Sequence, residues 1–146
     1  MMNQIIFLGA DHNGFALKNE LKKYLANKNF IVHDLGNTKL DKNDDYIDYA
    51  KKVAQAVKKN KSAMGILVCG SGQGMCMAAN RTPGIRAAIG YSLNTTKHSR
   101  QDENSNVLCL AAWDLSKNQA LKITAAWLAT SFSNLPRHKR RLKKLD

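Results

Sequence analysis

Residues 64–75 read Met64-Gly65-Ile66-Leu67-Val68-Cys69-Gly70-Ser71-Gly72-Gln73-Gly74-Met75. A short apolar run bounded by glycines predicts a fully buried strand, Met64 to Cys69. The chain then passes through three glycines in five residues into a short helix through Met75, Met77 and Ala78. An apolar strand without polar alternation belongs in a parallel sheet covered on both faces.

The same alternation extends in both directions. Toward the N-terminus, Gln4 to Leu8 predicts a strand ending at Gly9. A helix follows, with Phe15, Leu17, Leu21, Tyr24 and Leu25 at helical spacing and Lys18, Lys22 and Lys23 between them. Phe30-Ile31-Val32 predicts a second strand, Leu35 to Asp45 a polar loop, and the stretch from about Ile47 to Lys59 a helix. Toward the C-terminus, Ile85 to Ile89 predicts a strand, Leu93 to about Glu103 a helix, Asn106 to Leu110 a fifth strand and Leu115 to Phe132 a long helix. Pro136 suits the first turn of a last, basic helix over about 136–145. Five strands alternating with helices predict a flavodoxin-like (Rossmann-like) five-stranded parallel sheet with helices on both faces, in one domain spanning 1–146.

Composition narrows the function classes. The 146 residues are 44% hydrophobic and carry a net charge of +12, an ordinary globular balance apart from the charge. No apolar stretch approaches the roughly 20 residues of a membrane helix. Asn3 and Gln4 lead straight into a short apolar run, unlike a signal peptide, so a cytoplasmic protein is expected. Three cysteines, Cys69, Cys76 and Cys109, without CxxC spacing or paired histidines, argue against a disulfide framework and a zinc site. The positive charge raises nucleic acid as a partner, but the lysines are spread over several helices and only the tail, Arg137 to Lys144, is dense. A basic surface suits an anionic small molecule equally well.

Ligands of such sheets bind beyond the carboxyl ends of the strands. That rule selects Asp11-His12, the loop from Cys69 to Gly74 and the segment after Gly90. The glycines let backbone N–H groups approach an anion at a helix N-terminus; the plain alternative is a strand–helix turn with no ligand. The dinucleotide fingerprint is incomplete and lacks its acidic partner, and no Lys follows the last glycine, so neither NAD nor a P-loop is indicated. Cys69 ends its strand beside that helix N-terminus, a position that lowers a thiol pKa and offers a thiolate as base or nucleophile; otherwise it is a buried apolar cysteine. With no Ser-His-Asp or Cys-His arrangement legible nearby, proton abstraction fits better than acyl transfer. Asp11-His12 either handles a hydroxyl or phosphate, or is a helix-capping Asp beside an exposed His. Arg137 and Arg141, four apart on a helix, make either a phosphate clamp or a solvated basic face.

These pieces resemble the ribose-5-phosphate isomerase B family. The likeness rests on Gly9-Ala10-Asp11-His12-Asn13-Gly14, Asp45-Tyr46, Cys69-Gly70-Ser71-Gly72-Gln73-Gly74-Met75, Ala79-Asn80-Arg81, Gly84-Ile85-Arg86-Ala87, Ser99-Arg100-Gln101, Asn106-Val107-Leu108 and Arg137-His138-x-x-Arg141. The family also holds enzymes for allose 6-phosphate and galactose 6-phosphate. The resemblance implies aldose–ketose isomerisation of a phosphosugar, ribose 5-phosphate first, through an enediolate and without metal or organic cofactor. It assigns Cys69 as the base, the backbone of Gly70, Ser71, Gly72, Gln73 and Gly74 to the developing oxyanion, and Asp11 to sugar hydroxyls. It gives His12, Arg137 and Arg141 to the phosphate, and a site shared between two subunits of a homodimer or tetramer. Relatives lacking the cysteine use a carboxylate where this chain has Met75.

The chain departs from the family at three positions. Gln101-Asp102-Glu103 stands where the family usually has a histidine and an asparagine after the first residue. Asp102 therefore takes the ring-opening position, Glu103 a substrate-binding one, and His98, four residues earlier, could assist Asp102. Asp102 would need burial, or its neighbour Glu103, to raise its pKa for that task. Trp113 replaces a common arginine. The alternatives are an isomerase of a six-carbon phosphosugar and a non-catalytic module that binds phosphosugar or nucleic acid.

Overall fold

A computed structural model describes residues 4–146; Asn3, part of the reading against a signal peptide, lies outside them. The strands are β1 (Ile5–Ala10), β2 (Ile31–Asp34), β3 (Met64–Cys69), β4 (Ala87–Ile89) and β5 (Val107–Ala111). The helices are α1 (Phe15–Asn27), α2 (Tyr46–Lys59), α3 (Gln73–Asn80), α4 (Leu93–Gln101), α5 (Lys117–Ala129) and α6 (Pro136–Leu145). Every predicted element is present. Helix starts have local causes: Ser92 accepts the Thr95 N–H at the start of α4, Ser116 and Gln119 form a reciprocal capping box on α5, and Pro136 opens α6.

All pairings are parallel, in the order β2-β1-β3-β5-β4. The β2-β1-β3 half has the flavodoxin arrangement, while β5 lies inside β4. Alternation along β3 divides the core. Ile66 and Val68 pack with Leu21, Leu25, Ile123 and Trp127 of α1 and α5, whereas Leu67 and Cys69 face Val53 and Ala54 of α2 and Met75 and Ala79 of α3. Cys69 thus belongs to the α2–α3 side.

The turn after β1 is pressed against β3. A Cβ built on Gly14 would lie 2.2 Å from the Val68 carbonyl oxygen, a backbone atom fixed in the sheet. Gly14→Ala is expected to lower stability by about 2–3 kcal/mol, read as a shift in denaturant midpoint. A change below about 0.5 kcal/mol would mean that the turn can move away from β3.

No helix of the described residues is long and apolar enough to cross a membrane.

Candidate active site

The chain moves from β1 outward to β2 and then returns to place β3 on the other side of β1. Such a reversal opens a crevice at the carboxyl ends. Asp11 and Cys69 flank it, and Ala111 of β5, in register with Cys69, brings the following segment alongside. The result is a cleft of about 320 Å³ whose lining includes Asp11, His12, Tyr46, Cys69, Gly70, Ser71 and Trp113.

Cys69 is 5% exposed at the cleft floor. Its Sγ accepts the Gly72 N–H at 3.1 Å. Burial pushes the thiol above its ordinary value. The N–H groups of Met75, Gly72 and Ser71 pull it down, and the charge of Asp11 pushes it up again. The net shift is upward, which corrects the expectation that the helix N-terminus lowers it: desolvation outweighs the amides. If the thiolate is the base, kcat should climb with pH, about tenfold per unit well below the thiol pKa, and level off only above the free-cysteine value of about 8.5. A kcat already flat at pH 7 would exclude thiol ionisation as the controlling step.

His12 is not merely exposed. Its backbone N–H donates to Asp44 Oδ1 at 3.1 Å, and Nδ1 lies 2.7 Å from the same oxygen. This hydrogen bond raises the imidazole pKa despite some desolvation, with Asp11, Asp44 and Asp41 adding their charge. The ring is therefore biased toward the cation, which suits an anionic ligand. Asp11, 5% exposed, caps the turn: Oδ1 accepts the N–H groups of Asn13 and Gly14 at 3.0 and 3.1 Å. The helix-cap reading is thereby corrected: α1 is capped by Gly14 without a side-chain bond, and Asp11 closes the turn before it while its carboxyl also lines the cleft. Asp44 escaped sequence reasoning because it sits in a loop without periodicity. Its only local signal is the Asp44-Asp45-Tyr46 run before α2.

The loop glycines have separate causes. Gly72 has φ +76°, the left-handed region. Gly70 and Gly74 instead seat aromatic rings: an added Cβ would lie 2.5 Å from Trp113 Cε2 and 2.6 Å from Tyr46 Cε2. Trp113 is tied to the loop by its N–H to the Gly70 carbonyl at 3.0 Å. Two aromatic walls thus stand over the loop that holds Cys69. Ser71 lines the cleft between them, and Gln73 is exposed on the first turn of α3.

Within one chain the remaining candidates lie elsewhere. α4 leaves the carboxyl end of β4 and returns toward the amino ends, so Asp102, Glu103 and α6 gather at the opposite end of the sheet. Asp146 at the end of α6 pairs with Arg86, just before β4, at 3.0 Å. A six-residue strand such as β3 separates the two ends by about 20 Å. Asp102 lies 3.3 Å from His98 Nδ1, as the spacing of four predicts, and 3.8 Å from His138 Nδ1, which the sequence did not indicate. His138 is buried and its Nδ1 meets Ser133 Oγ at 2.6 Å. Glu103 faces a second cavity of about 640 Å³ with Arg81 and Arg86. Arg137 and Arg141 are exposed on one stripe of α6, over the buried His138 and Leu142. Among the described residues, no group of three or more His, Cys, Asp or Glu could hold a metal ion.

Comparison with known proteins matches residues 6–145 to the Ribose/Galactose Isomerase family. A probable ribose-5-phosphate isomerase B of Mycoplasma genitalium is 43% identical over 141 residues, covering 96% of this chain and 92% of its own. A D-erythrulose-4-phosphate isomerase of Pectobacterium atrosepticum is 37% identical over 127 residues, covering 87% and 84%. The crystal structure of ribose-5-phosphate isomerase B from Mycoplasma genitalium with bound ribulose-5-phosphate superposes with a TM-score of 0.95 at 42% identity, covering 99% of this chain and 95% of that one.

Proposed function

The chain belongs to the ribose/galactose isomerase family, and from that premise we propose that it interconverts ribose 5-phosphate and ribulose 5-phosphate in the cytoplasm. The observation that carries this reading is the juxtaposition at one switch point of a buried thiol, a glycine-rich run of backbone N–H groups and a histidine biased toward its cation.

Cys69, as thiolate, takes the proton from C2 of the open-chain aldose. The C–H electron pair forms the C1=C2 bond of an enediolate, and negative charge collects on O1. The O2 hydroxyl proton passes to O1, the thiol returns the abstracted proton to C1, and the C2 oxygen becomes the ketone, so the reaction needs no external oxidant or reductant. The Gly72 N–H is engaged by the sulfur, leaving other N–H groups of residues 70–74 for the oxyanion. Each such donor contributes ~3–4 kcal/mol to a reaction of this kind. Asp11 contacts sugar hydroxyls, and His12 meets the phosphate.

Arg137, Arg141, Asp102 and Glu103 reach the cleft from a second copy in a homodimer. This reading is supported by the distance between the two groups in one chain. Asp102, beside His98, opens the sugar ring by donating and accepting a proton. Asp102→Asn is expected to slow turnover of the cyclic sugar at least about tenfold, and His98→Ala less so. Rates equal to the parent from pH 5 to 9 would mean that ring opening occurs elsewhere or in solution.

The deciding experiment is an isomerase assay on purified protein across pentose and hexose phosphates. Ribose 5-phosphate is expected to give the highest kcat/KM. A preference for allose 6-phosphate or galactose 6-phosphate would transfer the assignment to a six-carbon sugar. Binding without turnover on any sugar would make the chain a phosphosugar-binding module.

A further inference from the structure

Lys18 is a charged residue with no exposed surface. Helical spacing places it with Lys22 and Lys23 between the apolar positions of α1, yet its side chain runs beneath the loop from 35 to 45. Nζ donates to Asp34 Oδ1 at 2.9 Å and to the Asn37 carbonyl at 2.8 Å, and lies 5.3 Å from the Phe15 ring centroid. Burial would push the Asp34 carboxyl upward, but Lys18, the Gly36 N–H and Lys22 hold it below the ordinary carboxylate range. Asp34 is therefore held as the carboxylate. The loop packs directly on the ammonium group: a Cβ at Gly36 would lie 2.9 Å from Lys18 Nζ.

Burying an ammonium is costly even when it is paired, and an apolar side chain of similar volume would serve packing at least as well. The use of the charge is geometric. Asn37, whose carbonyl Lys18 holds, donates its side-chain amide to Asp44 Oδ2 at 3.2 Å. Asp44 Oδ1 in turn accepts the His12 N–H and faces His12 Nδ1. Asp44 is 5% exposed at its side chain, so few alternative orientations compete. A continuous set of directed hydrogen bonds thus runs from α1, through a loop with no helix or strand of its own, to the imidazole at the cleft.

We propose that Lys18 is a positioning residue of this site, acting through Asn37 and Asp44 to hold His12 with Nδ1 turned away and Nε2 left for the substrate. The role given to His12 rests on the function proposed above; the positioning itself does not. Three carboxylates, Asp44, Asp11 and Asp41, act on His12, with Cys69 and Tyr46 lining the same cleft. Of these, Asp44 is the one that the Lys18 chain orients.

The test uses Lys18→Met, which keeps the volume without the charge, and Asn37→Ser, which keeps the backbone carbonyl but removes the amide. KM for ribose 5-phosphate should rise about tenfold in Lys18→Met with kcat within about threefold, the split expected when ground-state and transition-state binding are lost alike. The His12 titration midpoint, followed by NMR and assigned with His12→Asn, should fall toward that of a free histidine. Asn37→Ser should move both readouts in the same direction, with little loss of thermal stability. Should Lys18→Met fail to fold, Asn37→Ser decides. A folded variant with the parent's KM and the parent's His12 midpoint overturns the proposal, whatever its melting temperature. If the parent turns over no phosphosugar, the proposed function fails, and the NMR midpoint still decides whether Lys18 positions His12. A lowered midpoint with unchanged KM supports the positioning and removes His12 from substrate binding.

Discussion

Cys69→Ala is expected to lower kcat for the isomerisation by at least about 10³-fold, within the 10²–10⁴ that a positioned general base supplies. Among the described residues, no other Cys, His, Asp or Glu except Asp11, His12 and Asp44 lines the cleft, and each of these is already committed. Asp11 caps the Asn13–Gly14 turn, Asp44 holds His12, and His12 is biased toward its cation. Removing the sulfur also leaves the Gly72 N–H without its acceptor, which costs about 1–3 kcal/mol if water cannot replace it. Cys69→Ser separates the two effects. Its hydroxyl can still accept from Gly72 but does not ionise near neutral pH, so stability should return while activity does not. Substrate affinity, measured by equilibrium binding, should stay near the parent in both variants. Turnover within a few-fold of the parent in either one would remove Cys69 as the base.

The double change Arg137→Ala with Arg141→Ala should raise KM at least about 100-fold, since each charged contact to a phosphate is worth about 1.5–3 kcal/mol. The melting temperature should hardly move. Both side chains are exposed, and among the described residues neither enters an ion pair, so only a solvated surface is lost. The decisive form of the experiment mixes this variant with Cys69→Ala. α6 lies at the end of the sheet opposite Cys69, so one chain would supply the thiol and its partner the two arginines. In a mixed dimer, one site then carries both defects and the other carries none. An equal mixture that exchanges subunits freely should recover about a quarter of the parent's activity. A mixture as inactive as its components would end the shared-site reading. Parental KM in the double variant would make the tail a basic surface and nothing more.

The order of elements was legible because it is written locally. An apolar run such as Met64 to Cys69, broken by Gly70, predicts a strand of that extent, and β3 has those limits. The 3.6-residue spacing of Ala50, Val53, Ala54 and Val57 predicts α2, and those side chains are buried. Asp11, His12 and Cys69 followed from one rule, that a parallel sheet offers its ligands the carboxyl ends of its strands. Periodicity failed where a contact crosses the chain. Lys18 reads as a polar position of α1 and is buried only because the 35–45 loop folds over it. Asp44 has no pattern around it and acquires its role from His12, 32 residues away. The Cys69 thiol shifts upward, not downward, because its burial depends on α2 and α3 closing over the end of β3, while the sequence displays only the nearby amides. Likewise, nothing local tells that β5 inserts between β3 and β4, the step that stands Trp113 on Gly70. The sequence by itself determined which segments become strands and helices and which strand end carries the thiol, since those depend on neighbours within a few residues. The tertiary structure alone decided which charges are buried, what faces His12, and that the arginines lie at the far end of the sheet, since these depend on strand order and on side chains brought together from distant parts of the chain.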